Sequence, residues 1–239
     1  MGIYRIFLIF LLCLHHDNLH NDNAMTSHPM WSDQYWPLLM QIYMRSPKGI
    51  KPMYSRPMVN LALELHVPPK VLFALMFSLR CTDVPHVKRL WALYGDNKRR
   101  LARAVAKIRA MEGFGCAKDF YEGVDVAESF ERHFRPIPDK GNITPAMLVM
   151  VLDLYFRLTP ITMVEETPEV VQMSRLLRIK TGQVVEIMKA FQMCDPYIHR
   201  NNEVDKSLLE ACQEIWNIYG NDCPEDLAAY AAQLKEYFK

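Results

Sequence analysis

The chain has 239 residues, half of them hydrophobic and 23% charged, with 9 Gly and 15 Pro. That composition excludes collagen-like, low-complexity and disulfide-scaffold proteins and leaves a folded protein of one or two domains. The formal net charge of +1 conceals a segregation. Residues 25–113 carry 14 Lys/Arg against 5 Asp/Glu, net +9, while residues 144–239 carry 9 against 14, net −5. Such asymmetry points to a charged partner or to attraction between the two parts.

Residues 1–24 form an N-terminal extension. Arg5 precedes nine apolar residues, 6–14, which are too few to span a bilayer but match the central stretch of a secretory signal. The polar tract after them, with His15, His16 and His20, offers no small-x-small cleavage site. A start at Met25 is therefore preferred, with export as the alternative, and the histidines are read as a terminal tract in preference to a metal site. Cys13, Cys81, Cys116, Cys194, Cys212 and Cys223 show neither CxxC nor finger spacing. They are read as reduced, buried thiols in a cytoplasmic protein.

From residue 30 onward the pattern is helical. Helices are expected over 32–45, from Arg56-Pro57, over 68–80, up to Gly95, and over 98–111 behind an Asp96 or Asn97 cap. Pro suits a first turn, and Gly95 suits the left-handed position after a helix end. No period-two run bounded by hairpin turns suggests a sheet.

The same order recurs. Residues 37–45 align with 149–157, Pro57 with Pro168, and Leu90-Trp91-Ala92-Leu93-Tyr94-Gly95 with Ile215-Trp216-Asn217-Ile218-Tyr219-Gly220. The expected architecture is all-α, a tandem duplication of a roughly five-helix unit. A basic repeat, 25–113, and an acidic repeat, 144–239, flank an aromatic-rich acidic connector, 114–143, expected to pack across both. Asp222 and Pro224 are expected to open the last helix, and Trp91 and Trp216 to be buried at equivalent positions.

Within each repeat, one helix pair resembles a bacterial helix-turn-helix. Ala62, Leu65, Val67, Leu72 and Leu75 supply its apolar anchors in the first repeat, and Ser174, Leu177, Ile179, Val184 and Ile187 in the second. The resemblance covers about 20 residues per repeat and implies a DNA-reading helix. The second repeat offers Lys180, Thr181 and Gln183 as base-reading residues, whereas the first offers Pro68, Pro69, Lys70, Phe73, Ala74 and Phe77, a face suited to packing. His66 and Arg178 occupy the turn position that this motif fills with Gly. An ordinary packed helix pair takes precedence over DNA reading.

The strongest basic surface lies elsewhere. Lys98, Arg99, Arg100, Arg103 and Lys107 decorate one helix whose Leu101, Val105 and Ile108 turn inward, making a phosphate- or partner-binding face. GxSxG, HExxH, P-loop and GxGxxG are absent from the sequence. His66, His86 and His133 are read as structural, and Glu165, Glu166 and Glu169 as helix-start carboxylates. The expected function is that of a non-catalytic regulatory or adaptor protein with a protein partner and no cofactor, metal or membrane span. The alternative is a nucleic-acid-binding regulator that uses the basic repeat.

Overall fold

The structure, a computed structural model, describes residues 28–115, 129–198, 203–221 and 223–239. It is all-helical, with no strand among the described residues. The histidines of residues 1–24, Cys13, Cys116, Phe120, Tyr121, Val124, Val126, His199 and Asp222 lie outside them.

A single 3-10 turn, Asp33–Tyr35, leads into α1, Trp36–Tyr43. Next come α2, Arg56–Leu65, α3, Pro69–Ser78, α4, Pro85–Tyr94, and α5, Lys98–Arg109. The short α6, Ser129–Phe134, precedes α7, Pro145–Arg157, and a 3-10 turn at Pro160–Thr162. The chain finishes with α8, Pro168–Leu177, α9, Thr181–Cys194, α10, Lys206–Tyr219, and α11, Pro224–Phe238. Proline stands in the first turn of α1 to α4, α7, α8 and α11, where its missing N–H costs no helical bond. Asn97 caps α5, its Oδ1 accepting from the Arg100 amide at 2.8 Å.

Two cores form. The first is built on α1, whose Leu38, Leu39, Met40 and Ile42 pack among α2, α3 and α5. The second surrounds α7, buried on all sides from Ala146 to Tyr155 and touched by α6, α8, α9, α10 and α11. A helix apolar on every face belongs in such a centre. The cores adjoin along α2, which gives Met58, Leu61 and Leu65 to the first and Val59 to the second and packs on α11. Phe130 of α6 touches both. Arg56 of α2 donates to the Tyr237 carbonyl at 3.2 Å.

Several details depart from the sequence reading. Gly95 has φ −55°, a right-handed value, and Gly220 has φ −69°. Close approach explains these glycines: a Cβ would stand 2.7 Å from the carbonyl oxygen of Trp91 or Trp216 and 3.0 Å or less from its ring. The left-handed positions fall instead on His66 (φ 53°) and Arg178 (φ 58°). Trp216 is 6% exposed, between Phe156 and Phe191, but Trp91 is only half-buried. Its Nε1 donates to the Leu79 carbonyl at 2.9 Å while Lys48 sits over its ring. The difference follows from packing. α10 lies against α7 and α9, whereas α4 leans mainly on α5 and buries only Val87. Of the thiols read as buried, Cys212 is buried and Cys194 half-buried, burial pushing the Cys194 pKa up to about 11, whereas Cys81 and Cys223 are exposed.

A candidate binding face on a basic helix

α5 is amphipathic by construction. Leu101, Val105 and Ile108 fall on one stripe and are buried against the first core. Lys98, Arg99, Arg100, Arg103 and Lys107 are all exposed. Arg109 is the exception among the cations of this helix, its guanidinium forking onto Glu64 of α2 at 2.7 and 2.8 Å. That hydrogen bonding raises the Arg109 pKa and ties the end of α5 to α2. Arg100 lies 6.0 Å from the Tyr94 ring centroid. Among the described residues no carboxylate comes within ion-pair distance of Lys98, Arg99, Arg100, Arg103 or Lys107.

The position of this charge is unfavourable for the helix itself. Lys98, Arg99 and Arg100 stand in the first turn, where the macrodipole is positive and acidic residues are preferred, and that turn holds no acid. Beside the basic face lies an open cleft of about 330 Å³. Asp33 and Gln34 of the first 3-10 turn, Pro37 of α1, Leu90, Leu93 and Tyr94 of α4, and Ala104, Lys107 and Ile108 of α5 line it. The outward lean of α4 opens this cleft, since α4 does not seal against the first core as α10 seals against the second.

The two helix-turn-helix-like pairs share turn geometry. Ala62 O accepts from the amides of His66 and Val67, and Ser174 O from those of Arg178 and Ile179. The axes of α2 and α3 meet at 109°, within the range of such motifs. The face they present is less suited to DNA. On α3, Phe73 and Phe77 make a half-buried edge-to-face pair at 5.0 Å. At the start of α9, Lys180 is exposed, but Thr181 Oγ1 donates to Glu165 at 2.6 Å. Gln183 Oε1 accepts from the Lys180 amide at 3.0 Å. Glu165 thus serves the start of α9, and Glu169 lies in the first turn of α8. The structure brings Lys180, Thr181 and Gln183 together, with two of the three engaged locally and a carboxylate among them.

One cluster has no signal in the sequence. Glu131 of α6 is 1% exposed and receives His66 Nδ1 at 2.8 Å and Arg135 Nη2 at 2.6 Å. Its nearest legible clue, a charged residue amid aromatics, did not name a partner 65 positions away. His86 packs on Trp36, and His133 faces Tyr230 while burial lowers its pKa. No group of three His, Cys, Asp or Glu among the described residues is arranged to hold a metal, and no single helix there is long and apolar enough to cross a membrane.

No known protein family, curated protein or solved structure matches the chain. The fold defines an all-helical protein with two adjoining cores.

Proposed function

We propose that the chain is a non-catalytic regulatory or adaptor protein built from two copies of one helical unit, acting by macromolecular binding through the basic face of α5. The duplication draws support from the matching order of five helices and the paired left-handed turns at His66 and Arg178. The paired Trp–Gly contacts of Trp91–Gly95 and Trp216–Gly220 support it too. The observation that carries the binding reading is the first turn of α5. Three exposed cations stand in the first turn of α5, at the positive end of its dipole, with no acid in that turn, and an external anion would offset them. A protein partner with acidic side chains fits best, because an apolar cleft borders the charge.

A second reading is favoured by the 109° turn: a nucleic-acid-binding regulator, with Lys98, Arg99, Arg100, Arg103 and Lys107 on phosphate. Base reading by Lys180, Thr181 and Gln183 belongs to it and requires Thr181 to leave Glu165 and Gln183 to leave the Lys180 amide. The test uses fluorescence anisotropy with two labelled probes, an acidic amphipathic peptide and a random duplex DNA, at low and elevated salt. Wild type is expected to bind the peptide, and the triple variant Arg100→Glu/Arg103→Glu/Lys107→Glu to lose it. DNA binding in place of peptide binding, with a log–log salt slope of about −0.9 per cation engaged, selects the second reading. Binding of neither probe overturns both.

A further inference from the structure

The acidic unit carries a surface that complements the cleft beside α5. Between α7 and α8 the chain makes a loop closed on itself by hydrogen bonds. Thr162 Oγ1 donates to the Thr159 carbonyl at 2.9 Å and accepts from the Thr159 amide at 3.1 Å. Met163 anchors the loop in the second core, its sulfur accepting from Gln192 Nε2 at 3.3 Å. The same closure pushes Ile161 outward, 86% exposed, with Val164 at 45%. Glu165 and Glu166 follow in the same loop and Glu169 in the first turn of α8, all exposed. An exposed aliphatic pair followed by carboxylates suits the α5 side of the cleft, where Lys107 lines the wall and Arg100 lies over Tyr94, while Asp33, which also lines the cleft, accepts from Trp36 Nε1 at 3.2 Å.

The two surfaces do not meet within one chain. α5 packs on α1 and α4, while the loop is tied to α9 through Thr181 and Gln192. Among the described residues, Arg103, Lys107, Glu166 and Glu169 have no ion-pair partner. The net charges of +9 and −5 on the two segments have the signs that attract between copies.

Building on the protein-binding reading above, we propose that the partner is a second copy of this chain, which docks its Ile161 loop into the α4–α5 cleft. Ile161 enters between Leu93 and Ile108, and Glu166 and Glu169 face Arg103 and Lys107. Because every copy carries both surfaces, a two-fold arrangement makes the joint twice, and any other rotation extends it from copy to copy. Both arrangements relieve the basic face of α5 and cover the apolar walls of the cleft.

The experiment is sedimentation velocity on the full chain over a range of concentrations at low and high salt. The expected result is a mass that rises with concentration and falls with salt. Ile161→Asp, at a position exposed enough to leave the fold intact, is expected to weaken association by about tenfold or more. Two charge reversals sharpen the test: Arg103→Glu/Lys107→Glu and Glu166→Lys/Glu169→Lys. Each alone is expected to stay monomeric, and an equimolar mixture to associate, because each then offers what the other lacks. A wild-type chain that is monomeric throughout overturns the proposal. So does association that ignores both Ile161→Asp and the charge reversals. If the acidic peptide still binds α5 in a monomeric chain, only the identity of the partner fails and the broader reading stands.

Discussion

The Glu131 carboxylate joins two parts of the chain by holding the imidazole of His66, a residue in the left-handed turn between α2 and α3, at 2.8 Å. Glu131 is buried on α6, and its other oxygen takes Arg135 at 2.6 Å. The pair therefore connects the segment entering the second core to the tightest turn of the first. Removing a buried hydrogen-bonding partner leaves the other group unsatisfied and costs about 1–3 kcal/mol. Arg135 is half exposed and rehydrates, while His66 is mostly buried, so Glu131→Ala is expected to cost about 2 kcal/mol. Urea unfolding of the full chain measures it, and a loss below about 1 kcal/mol, the range of a surface pair, contradicts a joining role.

The same turn geometry predicts opposite outcomes at its two occurrences. A non-glycine residue in the left-handed region is strained by about 1–2 kcal/mol, part of which glycine returns to the flexibility of the unfolded chain. Arg178 is exposed and makes no ion pair among the described residues, so Arg178→Gly is expected to stabilise by about 0.5 kcal/mol. His66→Gly relieves equal strain but deprives Glu131 of a partner, and a net loss is expected. Parallel thermal melts decide it. Two changes of the same sign contradict the account.

The tryptophans form another contrasting pair. Trp216 sits among Tyr155, Phe156 and Phe191 with ring centroids 5.6–6.4 Å away. Trp216→Ala is expected to cost about 3–5 kcal/mol, as for a full aromatic truncation in a core. Trp91 is half-buried, and Trp91→Ala is expected to cost about half as much, mostly through the lost contact with Tyr43 and the orphaned Leu79 carbonyl. Equal losses in denaturant titrations refute the packing difference between α4 and α10.

Asp205 sets an acid-side limit for α10. Its Oδ1 accepts from the Ser207 amide at 2.9 Å and from Ser207 Oγ at 2.6 Å, and Lys140 lies at 3.0 Å. Ser207 first and Lys140 second draw its pKa from the ordinary 3.8 down to about 2. A folded value below the unfolded one gives stability that is fully present above pH about 4 and is lost as the pH falls toward about 2. Asp205→Asn is expected to flatten that limb of the stability–pH curve by lowering stability at neutral pH, where the ionised carboxylate contributes, while leaving stability near pH 2 little changed. An unchanged acid limb tells against the cap.

The helical class and the inward face of α5 are legible in the sequence because a 3.6-residue apolar period and an Asn97 cap act locally. Leu101, Val105 and Ile108 need no knowledge of what they pack against. The lean of α4 was hidden: Leu90-Trp91-Ala92-Leu93-Tyr94 and Ile215-Trp216-Asn217-Ile218-Tyr219 have nearly the same pattern, and only the surfaces offered by the neighbouring helices separate them. Gly95 misled for a related reason. A glycine after a helix reads as a left-handed cap, whereas here the demand comes from the Trp91 ring and carbonyl against the Cα. Glu131 and Ile161 were beyond reach, since burial of one and exposure of the other are decided by segments distant in the chain.

The last expectation sets stability against binding on one helix. Lys98, Arg99 and Arg100 oppose the dipole of α5, and a carboxylate in that turn is worth about 0.3–1 kcal/mol in the favourable direction. Arg99→Glu is therefore expected to raise the melting temperature while weakening capture of the acidic peptide. Arg99 is exposed and makes no ion pair among the described residues, so the substitution costs no contact there. The measurement pairs a thermal melt with anisotropy on the same samples. If Arg99→Glu destabilises the fold, the dipole argument is wrong. If it stabilises the fold and the peptide binds as before, Arg99 lies outside the contact and the face narrows to Arg100, Arg103 and Lys107.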